Sequence, residues 1–207
     1  MKFFKKNKYP KHLEEESENI SLGKQILIFG WEFVKVVVIS LAIIVPVRYF
    51  LITPFYVKGA SMEPNFHDYE YLIIDEISYR LDEPQRGDIV VFRYPMVPSQ
   101  YFIKRLIGLP GEKIKISGGQ VHIYDINSDQ YVVLEEDYLP PGTETVGSAE
   151  ITLAEDEYYL LGDNRPLSLD SRAFGPVKRN YIIGKVFWRG WPLNRIGFLF
   201  SDPEYNL

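Results

Sequence analysis

The chain has 207 residues and a formal net charge of −5, and 46% of its residues are hydrophobic. It contains no cysteine, which excludes disulfides, thiolate metal sites and a cysteine nucleophile. The negative net charge argues against a broad nucleic-acid-binding surface, so we expect no nucleic-acid partner.

The first predicted element is an apolar segment near the N-terminus. Its uncharged stretch runs only from Val36 to Val47, whereas a membrane span takes about 20 residues. Flanking residues can complete the span, because Glu32 and Lys35 lie one helical turn apart and can pair at the level of the headgroups. We therefore predict a transmembrane anchor at residues 25–53. A buried core helix is the alternative.

The orientation of this anchor follows from the lysines that precede it. By the positive-inside rule, we predict that residues 1–24 form a cytoplasmic tail and that residues 54–207 lie outside the cell membrane as one extracytoplasmic domain. A cleaved signal peptide is the rival interpretation, but Lys58 interrupts the small-residue pattern that cleavage at Gly59-Ala60 would need. The lysines in question are Lys2, Lys5, Lys6, Lys8, Lys11 and Lys24.

After the anchor, short β-rich segments alternate with turn residues, which predicts a mostly β domain. Its 15 tyrosines and 13 phenylalanines also favour strands. Residues 125–150 are polar, and we predict a peripheral excursion there. We expect coiled antiparallel sheets with Greek-key-like connections. The predicted strands are Tyr71–Asp75, Asp88–Tyr94, Tyr101–Ile107, Glu112–Ile116, Gln120–Tyr124, Tyr131–Leu134, Ile151–Leu153, Tyr158–Leu161 and Tyr181–Trp188.

Ser61 is a candidate nucleophile, in the segment Gly59-Ala60-Ser61-Met62-Glu63-Pro64 that follows the anchor. A serine hydroxyl needs a base to become a nucleophile. A tight turn can present the hydroxyl and the Ser61 N–H together, as nucleophile and as oxyanion donor. Taken alone, the segment also fits an ordinary structural serine.

Lys104 is the candidate base, because it lies in an otherwise apolar strand, residues 101–108. Alternation along a strand sends Lys104 and Arg105 to opposite sides, one inward and one outward. Burial disfavours the charged form of a lysine and lowers its pKa. A pKa of about 7–8 would make Lys104 a competent general base. The alternative is an exposed strand lysine.

A third segment, residues 162–172, follows the apolar strand that ends at Leu161 and is rich in small polar residues and charges. Such a composition predicts a loop held by internal hydrogen bonds and ion pairs. An ordinary turn rich in Asn and Asp is the alternative.

These segments, in this order, resemble the bacterial type I signal peptidases, which are membrane-bound proteases with a Ser-Lys dyad. The matching segments are Ser61-Met62-x-Pro64, residues 86–92 (RGDIVVF), Lys104-Arg105-x-x-Gly108-x-Pro110-Gly111 and Gly162-Asp163-Asn164-Arg165 with Ser168-x-Asp170-Ser171-Arg172. The resemblance covers the chain from about residue 30 onward. The single anchor and the small excursion are similar to the Gram-positive type.

The resemblance implies roles for individual residues. Ser61 would be the acylated nucleophile and Lys104 the general base, and Ser168 would hydrogen-bond the lysine amine. The implied structural supports are Asp163, Asp170 and Arg172, and the implied substrate-binding residues are Gly59, Phe102 and Ile103. The substrates would be the signal peptides of exported preproteins, cut near the secretion machinery, with no cofactor and no metal. The fold would be that of the signal peptidases and repressor autoproteases.

Departures from the family pattern and rival functions accompany this interpretation. Gly59 stands where some members carry a serine that donates to the oxyanion, and Pro166-Leu167 replaces more polar residues.

A histidine-based triad would need His12, His67 or His122, none of which has a matching acidic pattern. A self-cleaving repressor-type protease would lack the anchor. An inactive membrane-anchored scaffold protein on the same fold is the alternative from a different class.

Overall fold

The computed structural model describes residues 22–50, 52–199 and 205. The first helix, α1, extends over Leu22–Phe50. Among these residues, α1 is the one helix that is long and apolar enough to cross a membrane by length and composition, and none of its most apolar window is buried. Lys35 Nζ donates a hydrogen bond to Glu32 Oε1 at 2.6 Å, which confirms the predicted pair. The lysines predicted to set the orientation lie outside the described residues, except Lys24.

Twelve strands form in the unit that begins at Pro46. The structure contains every predicted strand, with ends that differ by a few residues. It adds three strands that the sequence pattern missed, β1, β10 and β12. The strands are β1 (Ile52–Tyr56), β2 (Tyr71–Asp75), β3 (Ile89–Arg93), β4 (Tyr101–Gly108), β5 (Lys113–Ser117), β6 (Gln120–Asp125), β7 (Gln130–Val133), β8 (Ala149–Thr152), β9 (Glu157–Leu161), β10 (Val177–Lys178), β11 (Ile182–Trp191) and β12 (Gly197–Phe198).

The strands build two antiparallel sheets. The larger sheet has the order β1-β2-β11-β3-β4-β9-β10, with β12 paired to β11, and the smaller one has the order β7-β6-β5-β8. Two four-residue helices, α2 (Ser78–Leu81) and α3 (Ser171–Phe174), and three short 3-10 turns connect them. The prediction of a mostly β fold with antiparallel sheets after one apolar helix is confirmed.

The predicted excursion at residues 125–150 contains one edge strand of the smaller sheet, β7, and ends in the other, β8. The inner face of this sheet packs against β9 of the larger sheet. Ile116 and Val121 share one core cluster with Tyr159 and Leu161. The two sheets therefore share a hydrophobic core.

Strand β4 lies in the interior of the larger sheet, between β3 and β9. Lys104 and Arg105 are each only 3% exposed, and Leu106 and Ile107 are fully buried. The prediction that one of the two cations points outward to solvent is wrong. The side chains of Lys104 and Arg105 do point to opposite faces of β4, but both faces are covered by other parts of the protein. Each side chain therefore needs a polar partner inside the protein.

Candidate active site

Ser61 lies in a compact turn between β1 and β2. Met62, which is fully buried, packs this turn against the core. Phe66 N donates a hydrogen bond to Met62 O at 2.8 Å and closes the turn. Burying Met62 anchors the turn in the core and leaves the neighbouring Ser61 side chain half-buried, at the surface. The turn therefore presents a serine hydroxyl on a rigid support.

Lys104 lies beside this hydroxyl. Its Nζ is 2.6 Å from Ser61 Oγ and 2.8 Å from the carbonyl oxygen of Ile103. Burial lowers the pKa of Lys104 from 10.5 to about 8, although Asp170 and Asp163 act in the opposite direction. A pKa of about 8 leaves roughly one molecule in ten with a neutral amine at pH 7. The two residues that the sequence singled out are thus in contact, and the lysine can exist as a base.

The loop at residues 162–172 docks directly onto the Ser61 turn. Asn164 N donates to Ser61 O at 3.1 Å, and Asn164 Nδ2 donates to Ala60 O at 3.0 Å. Gly162 packs so closely that a Cβ there would be 2.5 Å from Ser61 O and 2.1 Å from Ser168 Oγ. Only glycine allows this approach without a shift of the backbone. Asn164 was not predicted as a site residue, although it stands inside the motif.

Asp163 pairs with Arg105 beneath the turn. Arg105 Nε and Nη2 donate to the two carboxylate oxygens of Asp163 at 2.9 and 2.7 Å. Asn65, which ends the Ser61 turn, donates from Nδ2 to Asp163 Oδ2 at 2.8 Å. Burial alone would lower the pKa of Arg105, but the Asp163 carboxylate outweighs it and raises that pKa. The pair is a two-point, charge-assisted contact, which fixes geometry as well as charge.

Asp170 and Arg172 form a second two-point pair in the same loop. Arg172 Nε and Nη2 each donate to Asp170 at 2.8 Å, and Gly162 N donates to Asp170 Oδ2 at 3.1 Å. Burial would raise the pKa of Asp170, but the bonds from Arg172 and Gly162 outweigh it and lower that pKa. Asp170 is also the N-cap of α3, where it accepts from Arg172 N.

Ser168 is half-buried, and its Oγ lies buried beside Gly162. Its Oγ makes no hydrogen bond to the Lys104 amine, so the hydrogen bond expected between them is not formed in this structure, and Ser168 instead helps to lower the pKa of Asp170. The lysine amine bonds the Ser61 hydroxyl and the Ile103 carbonyl instead.

A cleft of about 680 Å³ opens in front of Ser61 and Lys104. The predicted substrate-binding residues Gly59, Phe102 and Ile103 all line it. Leu167 and Leu169 of the loop line it as well, so the departure at Pro166-Leu167 adds an apolar wall. The Gly59 N–H donates to Asp68 Oδ1 at 2.9 Å and is therefore not free to bind an oxyanion.

The described histidines bond elsewhere. His67 faces Glu63 at 3.5 Å on the surface, and His122 contacts Ser117 O at 3.3 Å in the smaller sheet. His12 lies outside the described residues.

Known proteins are similar to this chain over most of its length. The family described as signal peptidase, peptidase S26, matches residues 30–191. A probable signal peptidase I-2 from Synechocystis sp. is 37% identical, over 84% of this chain and 78% of its own length. Signal peptidase IB from Staphylococcus aureus is 28% identical, over 84% of this chain and 93% of its own length. A solved signal peptidase I from Enterococcus faecalis is 34% identical, with a TM-score of 0.42, over 50% of this chain and 97% of its own. The chain belongs to the signal peptidase family, peptidase S26.

Proposed function

We propose that this protein is a serine endopeptidase that removes N-terminal signal peptides from exported preproteins, with Ser61 as the nucleophile and Lys104 as the general base. One observation carries the assignment of the two residues. A lysine amine that is 3% exposed, with a pKa lowered to about 8, lies 2.6 Å from a serine hydroxyl at the edge of a cleft. Few arrangements other than nucleophile activation require a buried, unpaired lysine at that distance.

In the first half of the reaction, the neutral Lys104 amine accepts the proton of Ser61 Oγ while that oxygen attacks the carbonyl carbon of the scissile peptide bond. The developing oxyanion is bound by the Ser61 N–H, because the Gly59 N–H is committed to Asp68. Lys104 then gives its extra proton to the leaving amine. The carbon–nitrogen bond breaks, and the signal peptide stays attached to Ser61 as an ester.

In the second half, Lys104 accepts a proton from a water molecule as that water attacks the ester carbonyl. The carbon–oxygen bond to Ser61 breaks, and Lys104 returns its proton to Ser61 Oγ. The signal peptide leaves with a free carboxylate. In each half-reaction Lys104 accepts one proton and gives one proton away, so it is neutral again at the end.

The supporting residues keep this geometry in place. Asp163 acts through Arg105 and Asn65 on the Ser61 turn. Asp170 and Arg172 hold the loop that contains Gly162. Ser168 Oγ, buried beside Gly162, is a ready acceptor for an N–H of the Lys104 amine once that amine turns away from Ser61.

The cleft binds the residues that precede the scissile bond. Phe102 and Ile103 are apolar, and Gly59 has no side chain that would obstruct an extended substrate. Small side chains, as in an Ala-x-Ala sequence, fit a shallow apolar surface of this kind. The extended substrate can pair with the backbone of the flanking strands.

The membrane places the enzyme and its substrates together. The apolar helix α1, Leu22–Phe50, provides the single anchor that the sequence predicted at residues 25–53, with residues 1–24 on the cytoplasmic side and residues 54–207 as the extracytoplasmic peptidase domain. The protein then contacts lipid directly and works close to the secretion machinery, where signal peptides emerge. A reagent that modifies lysines only from outside intact cells tests this orientation, because Lys58 and Lys178 should react and the tail lysines should not.

Cleavage of a purified preprotein by the full chain in detergent tests the catalytic proposal. Wild type should cut after an Ala-x-Ala sequence, and Ser61→Ala and Lys104→Met should not. Ser148→Ala and Lys178→Met are matched controls at exposed positions and should cut like wild type. Cleavage by Lys104→Met would remove Lys104 from the mechanism. A folded wild type that cuts no preprotein would favour the inactive scaffold.

A further inference from the structure

The chain between β7 and β8 reaches the polar loop of the active site, although the sequence predicted a peripheral excursion there. We call residues 134–146 the bridging segment. Its Glu136 accepts hydrogen bonds from both terminal nitrogens of Arg165, with Nη1 to Oε2 at 2.8 Å. Thr145 Oγ1 accepts from the same guanidinium, and the Tyr138 hydroxyl lies 3.3 Å from Arg165 Nη2.

Arg165 connects the bridging segment to the catalytic serine. It is 1% exposed, and its Nε donates to Gly162 O at 3.1 Å. Gly162 in turn packs against the Ser61 carbonyl and Ser168. A buried guanidinium without a carboxylate partner is strongly unfavourable, so Glu136 is what allows Arg165 to occupy this position.

Tyr138, whose hydroxyl donates to Glu136, makes a second connection through its ring and its backbone. Its ring lies 3.8 Å from the Arg105 guanidinium, and its carbonyl oxygen accepts from Asn65 Nδ2 at 3.1 Å. Arg105 holds Asp163, and Asn65 ends the Ser61 turn. The bridging segment thus supports the turn of Ser61 and the loop that packs on it.

We propose that Glu136 and Tyr138 are positioning residues for the Ser61–Lys104 pair, with Glu136 acting through Arg165 and Tyr138 acting through Arg105 and Asn65. Proton transfer depends on the short distance between Lys104 Nζ and Ser61 Oγ, and a displacement of about 1 Å can cost about 100-fold in rate. The proposal rests on the proposed peptidase function.

Steady-state cleavage by the full chain in detergent tests this role, with Glu136→Ala, Glu136→Gln and the control Glu144→Ala. Glu144 is an exposed glutamate of the same segment. We expect Glu136→Ala to lower kcat by about 10- to 100-fold and to leave KM within about 3-fold, because the strands that form most of the cleft are unchanged. Glu136→Gln keeps an acceptor for Arg165 but removes the charge, so it should recover only part of the loss. Glu144→Ala should match wild type.

Tyr138→Phe and Tyr138→Leu separate the hydroxyl of the tyrosine, which donates to Glu136, from its ring, which lies against Arg105. Phe keeps the ring against Arg105 and should retain kcat within about 3-fold, whereas Leu removes the ring and should lower kcat by about 10-fold. All rates are measured well below each variant's midpoint of thermal unfolding. Wild-type kcat in folded Glu136→Ala and Tyr138→Leu would overturn the proposal, as would a loss that merely follows the unfolded fraction.

A second readout separates this proposal from the peptidase function. The burst of p-nitrophenolate from p-nitrophenyl acetate, with the acetyl group mapped to Ser61 by mass spectrometry, reports the dyad without a preprotein. A slower burst in Glu136→Ala supports positioning even if wild type cuts no preprotein. If wild type cuts preproteins and the burst in Glu136→Ala matches that of wild type, the positioning role alone is overturned.

Discussion

Lowering the pH converts Lys104 from its neutral to its charged form, and cleavage should fall with the neutral fraction. With the pKa at about 8, that fraction is about 90% at pH 9, about 50% at pH 8, about 10% at pH 7 and about 1% at pH 6. The value of kcat/KM should therefore rise about 10-fold from pH 7 to pH 9 and then level off. A lysine with an ordinary pKa would instead give a rise of about 100-fold over this range, with no plateau below pH 10.

The assay is cleavage of a fluorogenic peptide that contains an Ala-x-Ala site, measured from pH 6 to pH 10.5 at constant ionic strength. Circular dichroism at each pH value verifies that the domain stays folded. A flat profile between pH 6 and pH 9 would refute the argument, because it would mean that no group with a pKa near 8 takes the proton. A rise that continues to pH 10.5 would show that burial does not lower the pKa of Lys104.

Three further predictions concern stability and packing. Burial of Lys104 lowers the free energy of unfolding by about 3 kcal/mol below pH 8, because the pKa of Lys104 is lower in the folded state than in the unfolded state. Lys104→Met should therefore raise the thermal midpoint at pH 7. This gain should shrink between pH 8 and pH 10.5, because the unfolded lysine also loses its proton there. Gly162→Ala should abolish cleavage and lower the midpoint in calorimetry, since its Cβ would lie 2.5 Å from the nucleophile's carbonyl; Gly197→Ala, which has open space around its Cβ, should be near neutral. Asp163→Ala should lower the free energy of unfolding, measured in urea, by about 3–5 kcal/mol, because it leaves Arg105 charged and buried. Replacing both Asp163 and Arg105 should cost less than the sum of the two single replacements. Strict additivity would mean that the pair is not coupled.

Much of the active site could be predicted from local sequence. Alternation of apolar residues and turn chemistry are local properties, so most strands were correctly assigned. The motif at Ser61, the lone lysine in an apolar strand and the polar loop at residues 162–172 each stand out without knowledge of their neighbours. Their order along the chain was enough to indicate the family. That these residues lie together is a fact of the fold, since β1, β4 and the loop after β9 are far apart in sequence.

Tertiary structure decided which polar groups are buried and which partners they meet. Arg105 is indistinguishable in sequence from a surface arginine, and only the cover on both faces of β4 makes it part of the site. Asn65, Glu136 and Tyr138 carry no signal of their own, because the partners that connect them to the active site are between 27 and 98 residues away. A sequence specifies locally which side chains can form hydrogen bonds and ion pairs. Which of them must do so is set by desolvation, and desolvation depends on how distant segments pack.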